Sequence, residues 1–495
     1  MTGKRLYIET MGCQMNVLDS ELVVGQLRQR GYVRTDEMAD ADVVLINTCS
    51  VRQHAEDKAL SRLGSLKKPK SRRADMIVGV IGCMAERDPD GITRKMPHVD
   101  LVCGPGELNR IPAMIEEIQT TRRRALALSD DHSRKSTPLQ RATEYDSVES
   151  LDSSRTYGIE GTVLQAYVRV QRGCDKFCTF CVVPFTRGPE RSRPPGAIID
   201  EVRMLVDRGA KEITLLGQTV NSYMHQEDGR AVPFSELLYR MNGVAGLERI
   251  RFVTSYAGDF GDDVLAAMRD LDKVCEYLHL PAQSGSDAVL RRMRRQYSVR
   301  QYVELVDRAR EMVPGITLAS DFIVGFCGET DAEFAESLSL VERCRFKNIF
   351  VFKYSERPGT VAAKRSNDDV PEEVKRSRNQ ELLRLQERIS LETNRGLLGQ
   401  TVEVLVEGPS KRAQKAQISE QERGDEVGMA ETGQFVGRTR TDRIVVFPVE
   451  TGMVGRLVDI RVIGATALTL HGRMVDGVVA DESVGQLSPV AAIAG

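Results

Sequence analysis

The sequence has no excess of charge of either sign, no long hydrophobic run and no apolar N-terminal segment. Its 69 Lys and Arg residues against 71 Asp and Glu residues leave a net charge of −2, so any RNA contact must use local basic patches. The longest nearly unbroken apolar stretch, 76–85, has ten residues, whereas a membrane helix needs about 20. The first nine residues lack the apolar core of a signal peptide. We therefore expect a cytoplasmic protein with no membrane partner.

The length and composition indicate a soluble protein of several domains. At about 150 residues per domain, 495 residues suggest about three domains. The apolar fraction of 41% and the charged fraction of 28% are ordinary for globular proteins. A wholly disordered or fibrous chain is therefore excluded.

The N-terminal part alternates between strand and helix patterns. Apolar runs at 4–12, 41–48 and 76–82 read as strands, with a further short strand at 99–102. Helical periodicity follows the first run, from Val17 to Arg30. Alternating strands and helices with short loops predict an open parallel α/β sheet.

A second alternating series begins at Gln165 and is followed by an all-β region. Six strands are predicted, at 165–171, 211–217, 248–254, 277–280, 316–326 and 348–355. Six βα units indicate a partial (β/α)6 barrel, whose chemistry lies at the carboxyl ends of its strands. From Gly399 onwards, short strands and Gly-rich turns predict a small antiparallel β-barrel interrupted by a polar insert at 409–432.

These patterns divide the chain into five segments. The expected segments are an N-terminal domain at 1–121, a flexible linker at 122–158, a central domain at 159–396, a C-terminal barrel at 397–474 and a tail at 475–495. The linker is assigned because that stretch is long, polar and aperiodic.

The closest spacing of cysteines follows the first strand of the second series. In a reducing compartment, cysteines favour metal binding or catalysis over disulfides. Cys174, Cys178 and Cys181 place three thiolates on one tight loop. Three thiolates suit a four-iron, four-sulfur cluster that keeps one iron free for another ligand. Zinc is the main alternative, although structural zinc sites use four protein ligands and no fourth lies nearby.

Three other cysteines each follow a predicted N-terminal strand. Cys13, Cys49 and Cys83 come after the first, second and third strands. Ligands of open parallel sheets bind at the carboxyl ends of the strands, so these thiols could converge on one metal site. Alternatively, each is a small buried apolar residue. Cys103 also follows a possible strand, and position alone does not exclude it from the site.

These motifs resemble those of a known enzyme family. The spacing of Cys174, Cys178 and Cys181 is the signature of radical S-adenosylmethionine enzymes. The segments 12–16 (GCQMN), 47–52 (NTCSVR) and 82–85 (GCMA) resemble the cysteine motifs of methylthiotransferases, and the C-terminal region resembles an RNA-binding TRAM domain. Segment 181–193 resembles the MiaB type, except that Phe185 replaces a usual Tyr and Pro189 is atypical. The resemblance covers about residues 4–120 and 160–472.

The resemblance implies a function and a set of cofactors. It implies that Cys13, Cys49 and Cys83, without Cys103, bind a second four-iron cluster, giving two 4Fe-4S clusters together with S-adenosylmethionine. The implied reaction is radical methylthiolation of carbon 2 of N(6)-(dimethylallyl)adenosine at position 37 of tRNA, with two S-adenosylmethionine consumed per turnover. The implied partners are the tRNA anticodon stem-loop, an electron donor such as a flavodoxin or ferredoxin, and a sulfur source. A monomer is the working hypothesis.

Several residues after barrel strands are candidates for binding S-adenosylmethionine. Gln218, Gln283 and Gly325 lie in polar or Gly-containing loops that follow predicted strands. Ordinary turn chemistry is the alternative for each residue. His279 is expected to be a structural hydrogen-bonding residue rather than a metal ligand. No side chain beyond the cluster ligands is expected to act in catalysis.

Local patches are the candidates for RNA contact. The densest basic clusters are 291–295 and 67–73, and solvated faces are the alternative for both. Phe435 and the segment 438–440 of the predicted barrel offer an aromatic ring and two guanidinium groups, which small β-barrels use to meet exposed bases.

Other functions remain open from the sequence. The same fold could methylthiolate threonylcarbamoyl-adenosine in tRNA or a ribosomal protein. Two clusters and a barrel would also fit a non-catalytic iron–sulfur sensor that binds RNA, and a zinc-stabilised scaffold is a further alternative.

Overall fold

A computed structural model describes residues 3–50, 53–129, 151–152, 155, 163–411, 413, 432–450 and 452–475. Most of the predicted linker and insert, and nearly all of the predicted tail, lie outside these ranges. The helices are Gln14–Gln29, Gln53–Ser65, Lys67–Arg72, Cys83–Arg87, Pro89–Lys95, Ile111–Thr121, Val183–Thr186, Pro195–Asp207, Phe234–Asn242, Asp262–Asp270, Asp287–Arg292, Val299–Met312, Asp331–Cys344, Val361–Arg365 and Glu372–Arg395. Short 3-10 helices are Met38–Asp40, Leu108–Arg110, Val220–Ser222 and Ala257–Asp259.

The N-terminal domain is an open, entirely parallel sheet. Its strands are β1 Arg5–Met11, β2 Val33–Arg34, β3 Val43–Thr48, β4 Ile77–Ile81, β5 Leu101–Cys103 and β6 Ala125–Ala127. They lie in the order β2-β1-β3-β4-β5-β6. Apolar cores form on both faces, because β3 and β4 are buried on both sides. The predicted parallel α/β sheet is confirmed.

The boundary that we expected at residue 121 is too early. Strand β6 pairs in parallel with β5, so the N-terminal sheet extends into the range assigned to the linker. Asp152 and Arg155, in the same range, are buried against the central domain. Their polarity reflects pairing with other buried charges rather than exposure to solvent.

The central domain is a partial barrel. Its strands are β7 Gln165–Arg169, β8 Gln171–Arg172, β9 Arg191–Ser192, β10 Glu212–Leu216, β11 Met224–Glu227, β12 Arg230–Pro233, β13 Arg249–Phe252, β14 Tyr277–His279, β15 Thr317–Val324 and β16 Asn348–Lys353. Parallel pairs join β7-β10-β13 and β14-β15-β16. A parallel bridge between Ile250 and Val274 joins the two groups. All six predicted strands of the (β/α)6 barrel are confirmed.

The C-terminal domain is a closed five-stranded barrel. Its strands are β17 Thr401–Pro409, β18 Thr432–Thr439, β19 Ile444–Glu450, β20 Leu457–Ala465 and β21 Thr469–Met474, in the order β17-β18-β19-β21-β20. The sequence patterns missed β18, which begins where the polar insert ends. One pair, β19 with β21, is parallel, and the other pairs are antiparallel.

Two buried arginines of β13 hold this barrel against the central domain. Arg251 donates hydrogen bonds to the carbonyl oxygens of Thr439 at 2.7 Å and Arg440 at 2.9 Å. Arg249 donates to the carbonyl of Arg438 at 2.6 Å and pairs with Glu403 at 2.8 Å. Both guanidinium groups therefore satisfy backbone carbonyls that docking removes from water.

The structure removes Phe435 from the candidates for RNA contact and places the two arginines of segment 438–440 in ion pairs. Phe435 is buried in the barrel core. Arg440 pairs with Glu276 of the central domain at 2.8 Å, and Arg438 pairs with Asp442 at 2.8 Å. The Arg440–Glu276 pair joins the barrel to the central domain, whereas the Arg438–Asp442 pair lies within the barrel, and the sequence pattern alone reveals neither.

No helix within the described ranges is both long and apolar enough to span a bilayer.

Removing Arg251 is expected to destabilise the junction of these domains. The Arg251→Met variant would leave buried Glu212, now paired at 2.9 Å, without its partner. Breaking a buried pair costs about 3–5 kcal/mol, so we expect a lower urea midpoint and earlier proteolytic release of the barrel. Arg269→Met, which removes an exposed partner of Asp270, should leave both measurements unchanged. Equal behaviour of the two variants would contradict the docking role.

Candidate functional site

The three N-terminal cysteines lie together at the carboxyl edge of the sheet. Cys13 precedes the helix Gln14–Gln29, Cys49 follows β3, and Cys83 begins the helix Cys83–Arg87. The side chain of Cys49 hydrogen-bonds Cys13, and Cys83 interacts electrostatically with Cys13. Cys103 instead ends β5, fully buried in the apolar core beside Glu86 and Glu107. The structure thus separates Cys103 from the three-cysteine set.

Polar side chains brace the loops that carry these thiols. Asn16 Nδ2 donates to Asn47 Oδ1 at 2.8 Å, and Asn47 Nδ2 donates to the Asn16 carbonyl at 2.8 Å and to Ser20 Oγ at 2.9 Å. Cys13 Sγ lies 3.1 Å from Asn16 Oδ1. All three polar residues are buried, so their mutual bonds replace lost water contacts. The arrangement fixes Cys13 relative to the strand that leads to Cys49.

The surroundings shift the pKa values of these thiols in different directions. The pKa of Cys13 is lowered to about 6, chiefly by the hydrogen bond from Cys49 and further by the positive charge of Arg187, against the effect of burial. Burial raises the pKa of Cys83, and the Arg187 guanidinium opposes that rise. The site therefore contains a cation that belongs to the central domain and favours thiolate ligands.

The second cysteine set lies on the loop after β8. Gly173 has φ 78°, and a Cβ there would lie 1.9 Å from the Pro189 carbonyl oxygen. Only glycine therefore allows the segment at Gly173 to pass this close to the segment at Pro189. The Cys174 N–H donates to the Gly188 carbonyl at 3.1 Å. Thr179 donates its backbone N–H to the Met293 carbonyl at 3.0 Å and its hydroxyl to the Arg292 carbonyl at 2.9 Å. Both ends of the loop are therefore anchored.

A buried cation also faces this loop. Arg295 donates to Cys178 Sγ at 3.5 Å, and its guanidinium lies 4.5 Å from the ring centroid of Tyr256 and 5.0 Å from that of Tyr297. Burial raises the pKa of Cys174 to about 12 and raises the pKa of Cys181 further. These thiols become ligands by exchanging a proton for a metal ion, and the neighbouring cation compensates part of the resulting negative charge.

Both cysteine sets fit a polynuclear cluster by the chemistry of their donors. Thiolates are the ligands that iron–sulfur clusters require, and each set offers three cysteine thiols. Within the described residues, no group of three or more His, Cys, Asp or Glu side chains is arranged around a single ion. In a cluster each thiolate binds a different iron atom, so single-ion spacing is not required.

The three candidate S-adenosylmethionine residues all follow strands of the partial barrel. Gln218 follows β10, and its buried Oε1 has no hydrogen-bond partner among the described residues. Gln283 follows β14 with φ 69°, and its N–H donates to the Asp321 carbonyl at 2.8 Å. Gly325 follows β15, and its N–H donates to Glu329 Oε2 at 2.6 Å. Their positions at the carboxyl edge agree with the prediction, and their binding role stays a prediction.

His279 makes structural hydrogen bonds, as expected. Its Nδ1 accepts the Thr254 N–H at 3.2 Å, which leaves Nε2 to donate to Asp321 Oδ1 at 3.1 Å. Both ring nitrogens are therefore used within the protein fold.

Sequence reasoning missed a buried set of charges between the N-terminal and central domains, which we call the interface network. Its ion pairs are Asp19–Arg187 at 2.7 Å, Asp19–Arg169 at 3.8 Å, Arg169–Asp152 at 2.6 Å, Arg193–Asp152 at 3.1 Å, Arg193–Glu201 at 2.7 Å, Arg155–Glu201 at 2.6 Å and Arg155–Glu21 at 3.0 Å. One available signal was Asp19, a charge on the apolar face of a helix between Leu18 and Leu22.

Comparisons with known proteins agree with this architecture. Residues 5–104 match the family model described as "Uncharacterized protein family UPF0004", and residues 168–341 match the radical SAM superfamily. The chain is 49% identical to the tRNA-2-methylthio-N(6)-dimethylallyladenosine synthase of Rhodopirellula baltica, over 95% of both chains. It is 41% identical to the enzyme of that name from Thermoanaerobacter sp., over 96% of this chain and 94% of the other.

The chain belongs to the tRNA-2-methylthio-N(6)-dimethylallyladenosine synthase family. Among solved structures, the radical S-adenosylmethionine methyltransferase TsrM of Kitasatospora setae, with cobalamin and a 4Fe-4S cluster bound, aligns with a TM-score of 0.53 and 14% identity. The alignment covers 73% of this chain and 74% of that one, and at this identity it supports the fold alone. Membership in this synthase family also makes the chain a radical S-adenosylmethionine methylthiotransferase.

Placing a side chain at Gly82 should disturb the N-terminal cysteine set. Gly82 has φ 93°, and a Cβ there would lie 2.4 Å from Asn47 Oδ1 and 2.8 Å from the Thr48 carbonyl. We expect Gly82→Ala to cost about 1–3 kcal/mol and to reduce the iron bound per chain after anaerobic reconstitution. The matched control is Gly64→Ala, since a Cβ at Gly64 meets open space within a helix. An unchanged melting temperature and iron content in Gly82→Ala would refute this account of the loop.

Proposed function

We propose that the chain methylthiolates carbon 2 of N(6)-(dimethylallyl)adenosine at position 37 of tRNA, next to the anticodon. The observation that carries the proposal is that two largely buried three-cysteine sets are contacted by the adjacent residues Arg187 and Gly188, in a chain that belongs to the family of that activity. Threonylcarbamoyl-adenosine in tRNA, a ribosomal protein and non-catalytic RNA binding are the competing outcomes of the test below.

The two cysteine sets divide the cofactors between them. Cys174, Cys178 and Cys181 would hold one 4Fe-4S cluster with its open position for S-adenosylmethionine, and Cys13, Cys49 and Cys83 would hold the second. When bound, these groups supply the radical chemistry that replaces an unactivated C–H bond with a C–S bond, which acid–base catalysis by side chains cannot readily do.

The chain's own residues bind, orient and shield these groups. The buried Oε1 of Gln218, which has no hydrogen-bond partner in the part of the chain that the structure describes, can accept a hydrogen bond from a polar ligand at the carboxyl edge of β10. Together with Gln283 and Gly325, it is our candidate contact for S-adenosylmethionine. Glu190 accepts the Thr219 hydroxyl at 2.6 Å and the Asp175 N–H at 3.3 Å, which ties the cysteine loop to the loop that carries Gln218.

The remaining partners follow from this chemistry. The anticodon stem-loop of tRNA is the proposed substrate, and the exposed side chains of Lys67, Lys68, Arg291 and Arg294 are candidates for phosphate contact. Reduction requires an electron donor such as a flavodoxin or ferredoxin, and repeated turnover requires a sulfur source. We place the protein in the cytoplasm as a monomer.

The substrate is tested by nucleoside mass spectrometry of tRNA from cells with and without the gene. We expect specific loss of the methylthio group from isopentenylated adenosine, restored by the intact gene but not by Cys174→Ala. If a threonylcarbamoylated nucleoside or a ribosomal peptide loses mass instead, the substrate assignment fails. If no species changes, the non-catalytic alternative replaces the proposal.

The two cysteine sets are expected to have separable roles. In Cys174→Ala, reductive cleavage of S-adenosylmethionine to 5′-deoxyadenosine should be abolished, because the loop loses one of its three thiolates. In Cys49→Ala, cleavage should continue while methylthio transfer stops. Anaerobic assays that quantify 5′-deoxyadenosine and the modified nucleoside measure both steps. Equal loss of cleavage in two variants that each retain their other cluster would contradict the division of roles.

A further inference from the structure

The cation beside the N-terminal cysteine set comes from the central domain. Arg187 directly follows the short helix Val183–Thr186 and comes six positions after Cys181. Its guanidinium lies within hydrogen-bonding reach of the Cys83 thiol and also acts on Cys13. It is 2.7 Å from Asp19 Oδ2, and the side chains of Arg187 and Asp19 are 6% and 0% exposed. One buried ion pair therefore faces the N-terminal thiols.

The same short segment also contacts the other cysteine set. Gly188, the residue after Arg187, accepts the Cys174 N–H at 3.1 Å. Pro189 comes so close to Gly173 that no side chain fits between them. The side chain of Arg187 and the carbonyl of Gly188 thus reach opposite cysteine sets from adjacent residues.

The two members of the ion pair have opposite electrostatic effects on the thiols. The guanidinium of Arg187 brings a positive charge to Cys83 and Cys13, and the carboxylate of Asp19, paired with it at 2.7 Å, brings a negative charge to the same thiols. In a buried site such charges are weakly screened. The reduction potential of an iron–sulfur cluster depends on nearby charge and on hydrogen bonds to its sulfur atoms.

We propose that Arg187 is a positioning residue of the second cluster, supplied by the central domain, and that the Arg187–Asp19 pair sets the reduction potential of that cluster. This inference rests on the proposed function, because it requires a cluster at Cys13, Cys49 and Cys83. The N-terminal cysteine set therefore has the positive charge of Arg187 beside it only when the segment after Cys181 packs against the N-terminal domain.

The test measures potential rather than turnover. The parent is the full chain with Cys174, Cys178 and Cys181 replaced by Ala, so that only the N-terminal site can bind a cluster. After anaerobic reconstitution, iron and sulfide are counted, and the midpoint potential is measured by a redox titration followed by electron paramagnetic resonance. Arg187→Gln, Arg187→Lys and Asp19→Asn are then compared in this background.

The expected shifts have opposite signs. Arg187→Gln removes a positive charge that stabilises the reduced cluster, so its potential should become more negative. Asp19→Asn removes a negative charge, so its potential should become more positive. Arg187→Lys keeps the charge and should stay near the parent. A merely structural role predicts that both neutralising variants act alike, because both break the same ion pair.

Arg155→Gln is the matched control. Arg155 is another buried guanidinium of the interface network, but it pairs with Glu21 and Glu201. Its replacement disturbs the interface without changing the charge of the Arg187–Asp19 pair, and we expect no shift in potential.

Loss of the cluster in a single variant does not end the comparison. If Arg187→Gln binds no iron, the potential of the double variant Arg187→Gln/Asp19→Asn is compared with that of Asp19→Asn, since the double variant leaves neither member of the pair charged. A more negative potential in the double variant supports the inference.

The outcomes separate this inference from the proposed function. A parent chain that binds no iron refutes the assignment of the second cluster and this inference with it. A parent that binds iron, with shifts of the same sign in both neutralising variants or with no shifts, refutes this inference alone.

Discussion

The buried interface network is the interaction on which the geometry of the whole site depends. It joins Asp19 and Glu21 of the N-terminal domain to arginines of the central domain, with Asp152 and Arg155 between them. Burying a charge costs several kcal/mol unless it is paired and hydrogen-bonded. Other docking arrangements would leave some of these charges unpaired, so the network restricts the domains to one relative placement. That placement brings the two cysteine sets to the same interface.

Buried arginines also dock the C-terminal barrel, but their hydrogen-bond acceptors differ from those of the interface network. Arg249 and Arg251 reach mainly backbone carbonyls at the end of β18 and of the next residue, whereas the N-terminal interface pairs guanidinium groups with carboxylates. Carbonyl acceptors do not depend on the identity of the side chain at their position. The part of the docking that uses these carbonyls therefore does not depend on which side chains occupy positions 438–440, whereas the pairs of Glu403 and Arg440 do depend on their side chains.

The sequence was sufficient to predict the main parallel strands of the first two domains and the cysteine sets because those signals are local. Apolar runs ending in Cys13, Cys49 and Cys83 locate the strands and their carboxyl ends together, and the spacing of Cys174, Cys178 and Cys181 is compact. The polar contacts were not predictable in the same way. The residues next to Arg440 in the sequence do not distinguish an arginine that binds RNA from one that pairs within the protein. Only the three-dimensional fold shows that Glu276 faces Arg440. Strand β18 was missed because it adjoins a long polar insert, and the end of the N-terminal domain was misplaced because β6 is only three residues long.

The adjacency of Arg187 and Gly188 has a consequence for building chimaeras from members of this family. Asp19 and Arg187 belong to different domains but share one buried contact, so a domain grafted from a relative must carry a residue whose charge matches the partner that remains. A graft that lacks the matching charge would leave the remaining partner buried and unpaired, at a cost of about 3–5 kcal/mol. The length of the segment between Cys181 and Gly188 also fixes the positions of the Arg187 guanidinium and the Gly188 carbonyl relative to the two cysteine sets. Adding or deleting one residue within it would displace either the guanidinium from one cysteine set or the carbonyl from the other.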